Sequence, residues 1–461
     1  MHDLREEVER RRRDYLELLE QIRAGHDPDF DPDQPVRPIR YEVIQKLLSV
    51  GRPTAIAYYT LTAKRGVALL LTRERVLPVE LPNLSERQGW ELALAWLRAL
   101  QGDGGQPWED ALPAMLEPIA ERAVRPVVAA LEQKVERLIL VPHRALHLFP
   151  LHACRLIGGG YLADAFEELA YAPSVSLLHL CARRERAVRS QLLLLENPTG
   201  DLPFAELEGA ALRRLYPGCT PLKGLDVNRE RLLQDALEIG GCHVWHYAGH
   251  AVYELADPLA SALVVGSLDD REQWLTLRDV FTRMHLPRNM LAVLSGCESG
   301  RLQLDRVDEY LGLPSGFLYA GASCVVSSLW KVYDLSTALL MRRFHQEWRG
   351  TLPSSPPGGR SIAASLGAAQ RWLRDEITCG PDLRDRVVSE LLRDIDSERL
   401  RRRCRESADR YAGRYPDSPP FASPVHWAPF IATGCAFPLT GETPFEGPHS
   451  GLPVALAGKP S

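Results

Sequence analysis

A series of short, almost uninterrupted apolar runs constrains the fold of this chain more than any other feature. Most runs are separated by segments of helical periodicity, such as 206–215, 227–239 and 335–349. Strands that are apolar on both faces are typical of a largely parallel sheet covered by helices on both sides. The sequence therefore predicts an α/β protein. The runs are QLLLLENP from 191, HVWHYAGH from 243, SALVVG from 261, LAVLSG from 291, CVVSSLW from 324 and APFIATG from 428.

Two reactive side chains follow two of these runs. His250 comes at the end of HVWHYAG, and Cys297 comes directly after LAVLSG. Ligands bind beyond the carboxyl ends of parallel strands, so the two side chains can meet if their strands are neighbours. An imidazole can take the proton of a thiol, and the resulting thiolate is a strong nucleophile. The pair predicts the chemistry of a cysteine peptidase.

Small residues beside Cys297 leave room for a substrate backbone to approach its sulfur. They include Ser295, which we assign to substrate binding, and Gly296. The backbone N–H of Cys297, together with that of Gly249 or Ala251, is expected to line an oxyanion hole. The sequence does not indicate a third catalytic residue.

The composition is that of a globular protein and gives no sign of a nucleic-acid or membrane partner. The 461 residues allow two or three domains, and 45% hydrophobic residues are enough for a packed core. With 55 Lys and Arg against 60 Asp and Glu, the net charge is only −5. The opening has no apolar core of a signal peptide, and no segment has the roughly 20 apolar residues that span a bilayer. We therefore expect a cytoplasmic protein.

Cysteine and histidine spacing argues against a metal site, and we expect no cofactor. Nine cysteines are scattered without a CxxC pair, which is typical of reduced intracellular thiols. His246 and His250 have the spacing of a helical metal pair, but on a strand they would lie roughly 13 Å apart, too far to share an ion. His246 is interpreted either as a hydrogen-bonded core residue or as a support for the active-site loop.

The first half of the chain also has an α/β pattern. The segment from Ala55, AIAYYTLTAKRGVALLLTRERVLPVEL, predicts two or three antiparallel strands, and helical periodicity follows at 86–101 and 109–134. RLILVPHRALHLFPLHA then resembles a buried strand that leaves into a loop, and a helix is expected near 174–188. A charged helix over 4–24 precedes this unit and ends at a proline-rich stretch.

Several motifs in one order resemble the CHAT family, caspase-like cysteine peptidases related to separases. The resemblance covers about residues 50–435, and His250 lies 47 residues before Cys297, close to the caspase spacing. The motifs are VWHYAGHA (244–251), LAVLSGCESG (291–300), GLPSGFLYAGASCVVSSLWKVYD (312–334), LGAAQRWLRD (366–375) and HWAPFIATG (426–434), preceded by LILVPHRALHLFPLHA (138–153), YAPS (171–174), NP (197–198) and LPFAELEGAAL (202–212).

The resemblance implies two caspase-like halves, of which only the second is catalytic. The expected division is a charged N-terminal helix and linker over 1–40, a non-catalytic half over 41–190 and a catalytic peptidase half over 191–435. The catalytic half carries a charged helical insertion at about 379–424, and 436–461 is expected to be a flexible tail.

The resemblance makes His250 the general base and Cys297 the nucleophile. Family members usually have Gly where this chain has Ala251, and they often carry tetratricopeptide helices where this chain has only the 4–24 helix. It implies a bacterial effector that cleaves one or a few protein substrates, is switched on by a regulatory partner, and acts in defence or programmed cell death. Two alternatives remain: a non-catalytic partner-binding module of the same fold, and a zymogen that is inert in isolation.

Asp334 is the predicted specificity residue. In separases, which this region resembles, an acidic residue four positions after the strand's Trp accepts a basic side chain, and Asp334 has that position after Trp330. A carboxylate in a first pocket favours Arg or Lys at the cleavage position. The alternative interpretation of Asp334 is the N-cap of the helix over 335–349.

Overall fold

The computed structural model describes Leu16, Glu20 and residues 39–48, 51–101, 107–131, 135–184, 191–234, 241–254, 257–296, 312–356, 359–393 and 395–437. Cys297 therefore lies outside the described residues, as do most of the predicted 4–24 helix and nearly all of the 436–461 tail. The chain divides into two compact units, one made of Met1–Val43 with Glu442–Ser461 and the other of Ile44–Gly441. All described strands belong to the second unit.

Fourteen strands are described. They are β1 (Thr54–Leu61), β2 (Gly66–Leu71), β3 (Val76–Leu81), β4 (Arg137–Val141), β5 (Glu168–Tyr171), β6 (Gln191–Glu196), β7 (Gly218–Lys223), β8 (Val244–Ala248), β9 (Ala251–Val252), β10 (Ala262–Leu263), β11 (Leu275–Thr276), β12 (Leu291–Ser295), β13 (Cys324–Ser328) and β14 (Phe430–Gly434).

Helices connect most of these strands. They are α1 (Tyr41–Leu47), α2 (Glu86–Gln101), α3 (Trp108–Ile119), which continues through a π-helical turn (Ala120–Val124) into α4 (Arg125–Ala129), α5 (Val175–Ala182), α6 (Pro203–Leu215), α7 (Arg229–Gln234), α8 (Leu277–Arg283), α9 (Leu313–Ala320), α10 (Asp334–Arg349), α11 (Ile362–Arg371), α12 (Gly380–Asp382), α13 (Ser389–Leu392), α14 (Glu398–Arg414) and α15 (Pro424–Trp427).

Eleven of the strands form one mixed sheet in the order β3-β2-β1-β4-β5-β14-β13-β12-β8-β6-β7. The β1–β2, β2–β3 and β13–β14 pairs are antiparallel, and the remaining neighbours are parallel. The predicted α/β fold with a mostly parallel sheet flanked by helices is confirmed. The antiparallel strands expected after Ala55 are β1 to β3, and the structure adds β7, which the sequence did not indicate.

The strands β4, β6, β8, β12, β13 and β14 are buried along almost their whole length. Their apolar runs are continuous because helices cover both faces, which leaves no solvent-facing side to carry polar residues. Within the described ranges, no helix combines the length and apolarity that a bilayer span requires. The charged segment 379–424 contains α12 to α14 and is largely helical.

The prediction that SALVVG continues the main sheet is wrong. Its residues Ala262–Leu263 form β10 of a separate three-stranded sheet in the order β11-β10-β9. Ala262 and Val264 are apolar for a different reason, because they pack with Trp274 and Val252 in a small cluster of their own. This small sheet begins one residue after His250, and it therefore borders the predicted site.

Candidate active site

The strands that precede the two predicted catalytic residues are direct neighbours. β8 and β12 pair in parallel with Val293 opposite His246 and Ser295 opposite Ala248. Both strands therefore end at the same edge of the sheet and at the same level. His250 lies two residues beyond the end of β8, and Cys297 follows β12 by two positions in the sequence. The two strands are neighbours, as the sequence analysis required for the two side chains to meet.

The turn that carries His250 is held by hydrogen bonds to its backbone carbonyl. The Tyr247 hydroxyl lies 2.5 Å from the His250 carbonyl oxygen and 2.8 Å from that of Val264. The Val264 N–H donates to the His250 carbonyl at 2.9 Å. A Cβ on Gly249 would lie 2.5 Å from the Tyr247 hydroxyl, so only glycine fits at this position. The imidazole of His250 thus projects from a fixed backbone.

A carboxylate faces His250 that the sequence analysis did not identify. Asp201 Oδ2 lies 2.9 Å from His250 Nε2, and Oδ1 lies 3.2 Å from it. Burial raises the pKa of the Asp201 carboxyl, but hydrogen bonds from Thr199 and His250 outweigh that effect and lower the pKa below its ordinary value. The two side chains are 30% and 47% exposed, so solvent screens their attraction. Asp201 contacts Nε2, so Nδ1 is the ring nitrogen that Asp201 does not contact.

The loop that carries Asp201 is fixed by the NP pair after β6. Asn197 has a positive φ of 45°, and its N–H donates to the Ala248 carbonyl at 2.8 Å. Its side chain accepts from the Leu202 N–H at 3.0 Å and donates to Glu206 at 3.0 Å. These bonds bracket the loop on both sides of Asp201 and tie it to the end of β8.

The two residues before Cys297 are also held on several sides. The Gly249 N–H donates to the Ser295 carbonyl at 3.3 Å, and the Ser328 hydroxyl donates to the Gly296 carbonyl at 2.7 Å. A Cβ on Gly296 would lie 2.8 Å from the Gly249 carbonyl oxygen and 3.5 Å from the Ala251 nitrogen. The turns that follow β8 and β12 are therefore in close contact.

These contacts change two of the predicted roles. The N–H of Gly249 is used by Ser295, so it is not available for an oxyanion in this arrangement. The Ser295 hydroxyl donates to Glu208 Oε2 at 3.1 Å, so this side chain is committed to the protein rather than to a substrate. Ala251 begins β9 opposite Leu263, and its role stays a prediction, as does that of the undescribed Cys297.

An open cleft of about 520 Å³ lies at this edge of the sheet. Its lining comes from the start of α6, the turn after β8, the end of β12 and the segment that leads into α10. The lining includes Phe204, Glu208, His250, Gly296, Lys331 and Thr337.

Asp334 is the first residue of α10, and Tyr333 takes the N-cap position. The N-cap interpretation of Asp334 is therefore wrong, because the helix already includes it. Its side chain is not described, so its specificity role stays a prediction. Lys331 and Thr337, on either side of it in the chain, line the cleft.

His246 is a fully buried, hydrogen-bonded residue of β8. Its Nε2 lies 2.6 Å from Glu208 Oε1, and its Nδ1 lies 3.1 Å from His345 Nε2. The Tyr216 hydroxyl lies 2.8 Å from His345 Nδ1. The interpretation of His246 as a hydrogen-bonded core residue is confirmed. Glu208 links His246 to Ser295, two residues before Cys297, and the role of His246 in supporting the active-site loop stays a prediction.

The sheet order and this edge-of-sheet cleft define a mixed α/β protein, and a match to a solved structure makes its fold caspase-like. A chain of the Saccharomyces cerevisiae separase–securin complex superposes with a TM-score of 0.51 at 12% identity. The match covers 71% of this chain but only 29% of that one, so this chain spans less than a third of its length. Residues 113–435 match the CHAT domain. The chain belongs to the CHAT family, as the sequence resemblance indicated.

Other solved structures are more distant. The Arg-specific cysteine proteinase gingipain R gives a TM-score of 0.40 at 10% identity, with 71% of this chain and 67% of that chain covered. The complex of Porphyromonas gingivalis RgpB pro- and mature domains gives 0.38 at 9% identity, covering 72% and 70%. No curated protein is significantly similar to this chain.

Of the two carboxylates that sequence reasoning missed, one carried a usable signal. Glu208 is a charged residue between Leu207 and Ala211 on the buried face of α6, and a carboxylate on an apolar face needs a partner. Asp201 lies in the loop after β6, but the sequence did not reveal that β6 adjoins β8. Without that strand order, Asp201 is one acidic loop residue among many.

Proposed function

We propose that this protein is a cysteine endopeptidase that cleaves peptide bonds of specific protein targets through Cys297 and His250. The observation that supports the proposal is the parallel pairing of β8 and β12, after which His250 and Gly296, the residue before Cys297 in the sequence, both line one open cleft. Membership of a family of caspase-like cysteine peptidases supports the same chemistry.

In this mechanism His250 takes the proton of the Cys297 thiol, and the thiolate attacks the carbonyl carbon of the scissile bond. The C–N bond breaks as the imidazolium returns the proton to the leaving amine, which leaves a thioester. A water molecule, deprotonated by His250, hydrolyses the thioester and releases the carboxylic acid and the free thiol. The N–H groups of Cys297 and Ala251 are the proposed donors to the oxyanion.

Asp201 is proposed to orient the imidazole in both steps. A carboxylate that accepts from Nε2–H fixes the tautomer in which Nδ1 can act as the base, and it favours the imidazolium that forms. Its exposure makes it a contributor of moderate size rather than an indispensable group.

Labelling with an electrophilic peptide probe tests the proposal. The wild type should become covalently modified at Cys297, and Cys297→Ala should lose all labelling. Cys324→Ala is the matched control, because Cys324 is fully buried on β13 and burial raises the pKa of its thiol well above the ordinary value. Equal labelling of both variants would favour the partner-binding module, and labelling that appears only with an added activating protein would favour the zymogen.

Asp334 is proposed to select Arg or Lys at the cleavage position. A peptide library should show a preference for basic residues in the wild type, and Asp334→Ala should reduce that preference about tenfold or more in kcat/KM while cleavage after neutral residues persists. Thr337→Ser, a mild change in the same cleft wall, is the control. A wild type with no basic preference would remove this assignment.

The remaining expectations concern organisation and biology. We propose that 41–190 is a non-catalytic caspase-like half and that 191–435 is the catalytic peptidase half. The separase structure is a complex with securin, which supports a regulatory protein partner for this chain as well. A role in bacterial defence or programmed cell death rests on the family resemblance alone. Expression of the wild type beside Cys297→Ala, with comparison of the cellular proteins cut in each, tests that role.

A further inference from the structure

A chain of four hydrogen bonds runs through the interior from the end of α6 to the end of β12. It links Tyr216, His345, His246, Glu208 and Ser295 at 2.8, 3.1, 2.6 and 3.1 Å in that order. All five side chains belong to buried residues. The chain therefore ties the helices α6 and α10 to the strands β8 and β12, and it ends two residues before Cys297.

Counting donors and acceptors assigns one consistent donor-to-acceptor direction to these four hydrogen bonds. An ionised Glu208 only accepts, so the Ser295 hydroxyl and His246 Nε2–H both donate to it. With one proton on each imidazole, His246 Nδ1 accepts from His345 Nε2–H, and His345 Nδ1 accepts from the Tyr216 hydroxyl. Burial, reinforced by His246 and Arg349, lowers the pKa of His345 well below its ordinary value, which agrees with a neutral ring.

A buried carboxylate is costly, and an apolar residue of similar volume would often be no less stable. Glu208 nevertheless lies in the cleft wall, with both oxygens engaged. The Ser295 backbone is already held by Gly249 and that of Gly296 by Ser328, so the Glu208 contact adds a side-chain restraint to the same short segment.

We propose that Glu208 is a positioning residue, which fixes the segment leading into the nucleophile by accepting from Ser295 while His246, His345 and Tyr216 hold its carboxylate in place. The inference rests on the proposed function and deepens it. Glu208 acts through Ser295 and touches no reacting atom, so its removal should affect the chemical step rather than substrate binding.

The test compares Glu208→Ala, Ser295→Ala and the double variant, using a fluorogenic peptide that ends in Arg. Each single variant should lower kcat about tenfold with KM within about twofold, since small misplacements of reacting groups are expensive. The double variant should be no slower than Glu208→Ala, because both remove one contact. Glu208→Gln keeps an acceptor oxygen and should recover most of the lost kcat.

Ser327→Ala is the matched control. Ser327 precedes Ser328 on β13, is fully buried, and its hydroxyl has no hydrogen-bond partner within the described part of the chain, so its loss should leave kcat unchanged. Multiplying effects in the double variant, a change in KM alone, or an equal loss in Ser327→Ala would overturn the inference. If Glu208→Ala does not fold, Ser295→Ala and Glu208→Gln decide the matter.

A second readout separates this inference from the proposed function. The alkylation rate of Cys297 by iodoacetamide, followed by mass spectrometry, needs no peptide hydrolysis. Ser295→Ala should change that rate several-fold, whereas Ser327→Ala should not. If the wild type cleaves no peptide, the proposed function fails; if the alkylation rate is the same in all variants, the positioning role fails.

Discussion

His250→Ala should lower kcat/KM for a peptide ending in Arg about a thousandfold at pH 7. General acid–base catalysis contributes on the order of 10²–10⁴-fold, and His250 is proposed to move a proton in every step. The residual rate should rise with pH through about 8.5, because the thiol must then ionise without help. Rates measured from pH 6 to 9 on the variant and the wild type check this.

Asp201→Asn should lower activity less than His250→Ala does. The amide oxygen can still accept from His250 Nε2–H, so only the negative charge is lost, and the Asp201 carboxylate is about half exposed. Its kcat should fall roughly tenfold, far less than in His250→Ala. Both variants should keep the wild-type melting temperature, since neither side chain is buried. A His250→Ala protein as active as the wild type would contradict the proposed mechanism.

Gly296→Ala should nearly abolish activity as well. The added methyl group would lie 2.8 Å from the Gly249 carbonyl oxygen, and a backbone atom cannot move aside as a flexible side chain can. The turns after β8 and β12 must then separate, and a displacement of about 1 Å can cost on the order of a hundredfold in rate. Overpacking should also lower the free energy of unfolding by about 1–3 kcal/mol. Urea denaturation and kcat measure the two effects.

Gly413→Ala is its matched control. Gly413 lies in α14 and is exposed, and a methyl group added there would meet no neighbour within 4 Å among the described residues outside its own helix turn. Alanine favours a helix over glycine, so this variant should be as stable as the wild type or slightly more so, with unchanged kcat. Equal damage from both substitutions would mean that the Gly249–Gly296 contact has no special part in the site.

The main sheet could be predicted from sequence because its strands differ so clearly from the segments between them. Continuous runs such as QLLLLE and LAVLS have no polar face, and helices separate them, which favours parallel strands covered on both sides. The position of His250 at the end of one run was also sufficient to place it at the sheet edge. In SALVVG the same apolar signal was misleading, because Val264 and its neighbours fill a small satellite cluster.

The partners of His250 could not be predicted, because they depend on strand order and helix placement. Asp201 reaches the imidazole only because β6 lies next to β8, and hydropathy does not encode that order. Glu208 meets His246 and Ser295 only because α6 packs with this residue toward β8 and β12. A contact between distant segments is a property of the assembled chain rather than of any window of sequence.

The position of β14 in the sheet has a consequence for biosynthesis. This strand is the last of the sheet along the chain, yet it lies between β5 and β13 in the middle. A nascent polypeptide that ends before Phe430 lacks the strand that joins two groups of strands, β3-β2-β1-β4-β5 on one side and β13-β12-β8-β6-β7 on the other. Pairings between residues so far apart in the sequence form late. The ribosome must therefore have synthesised β14 before the two groups can merge into one continuous scaffold.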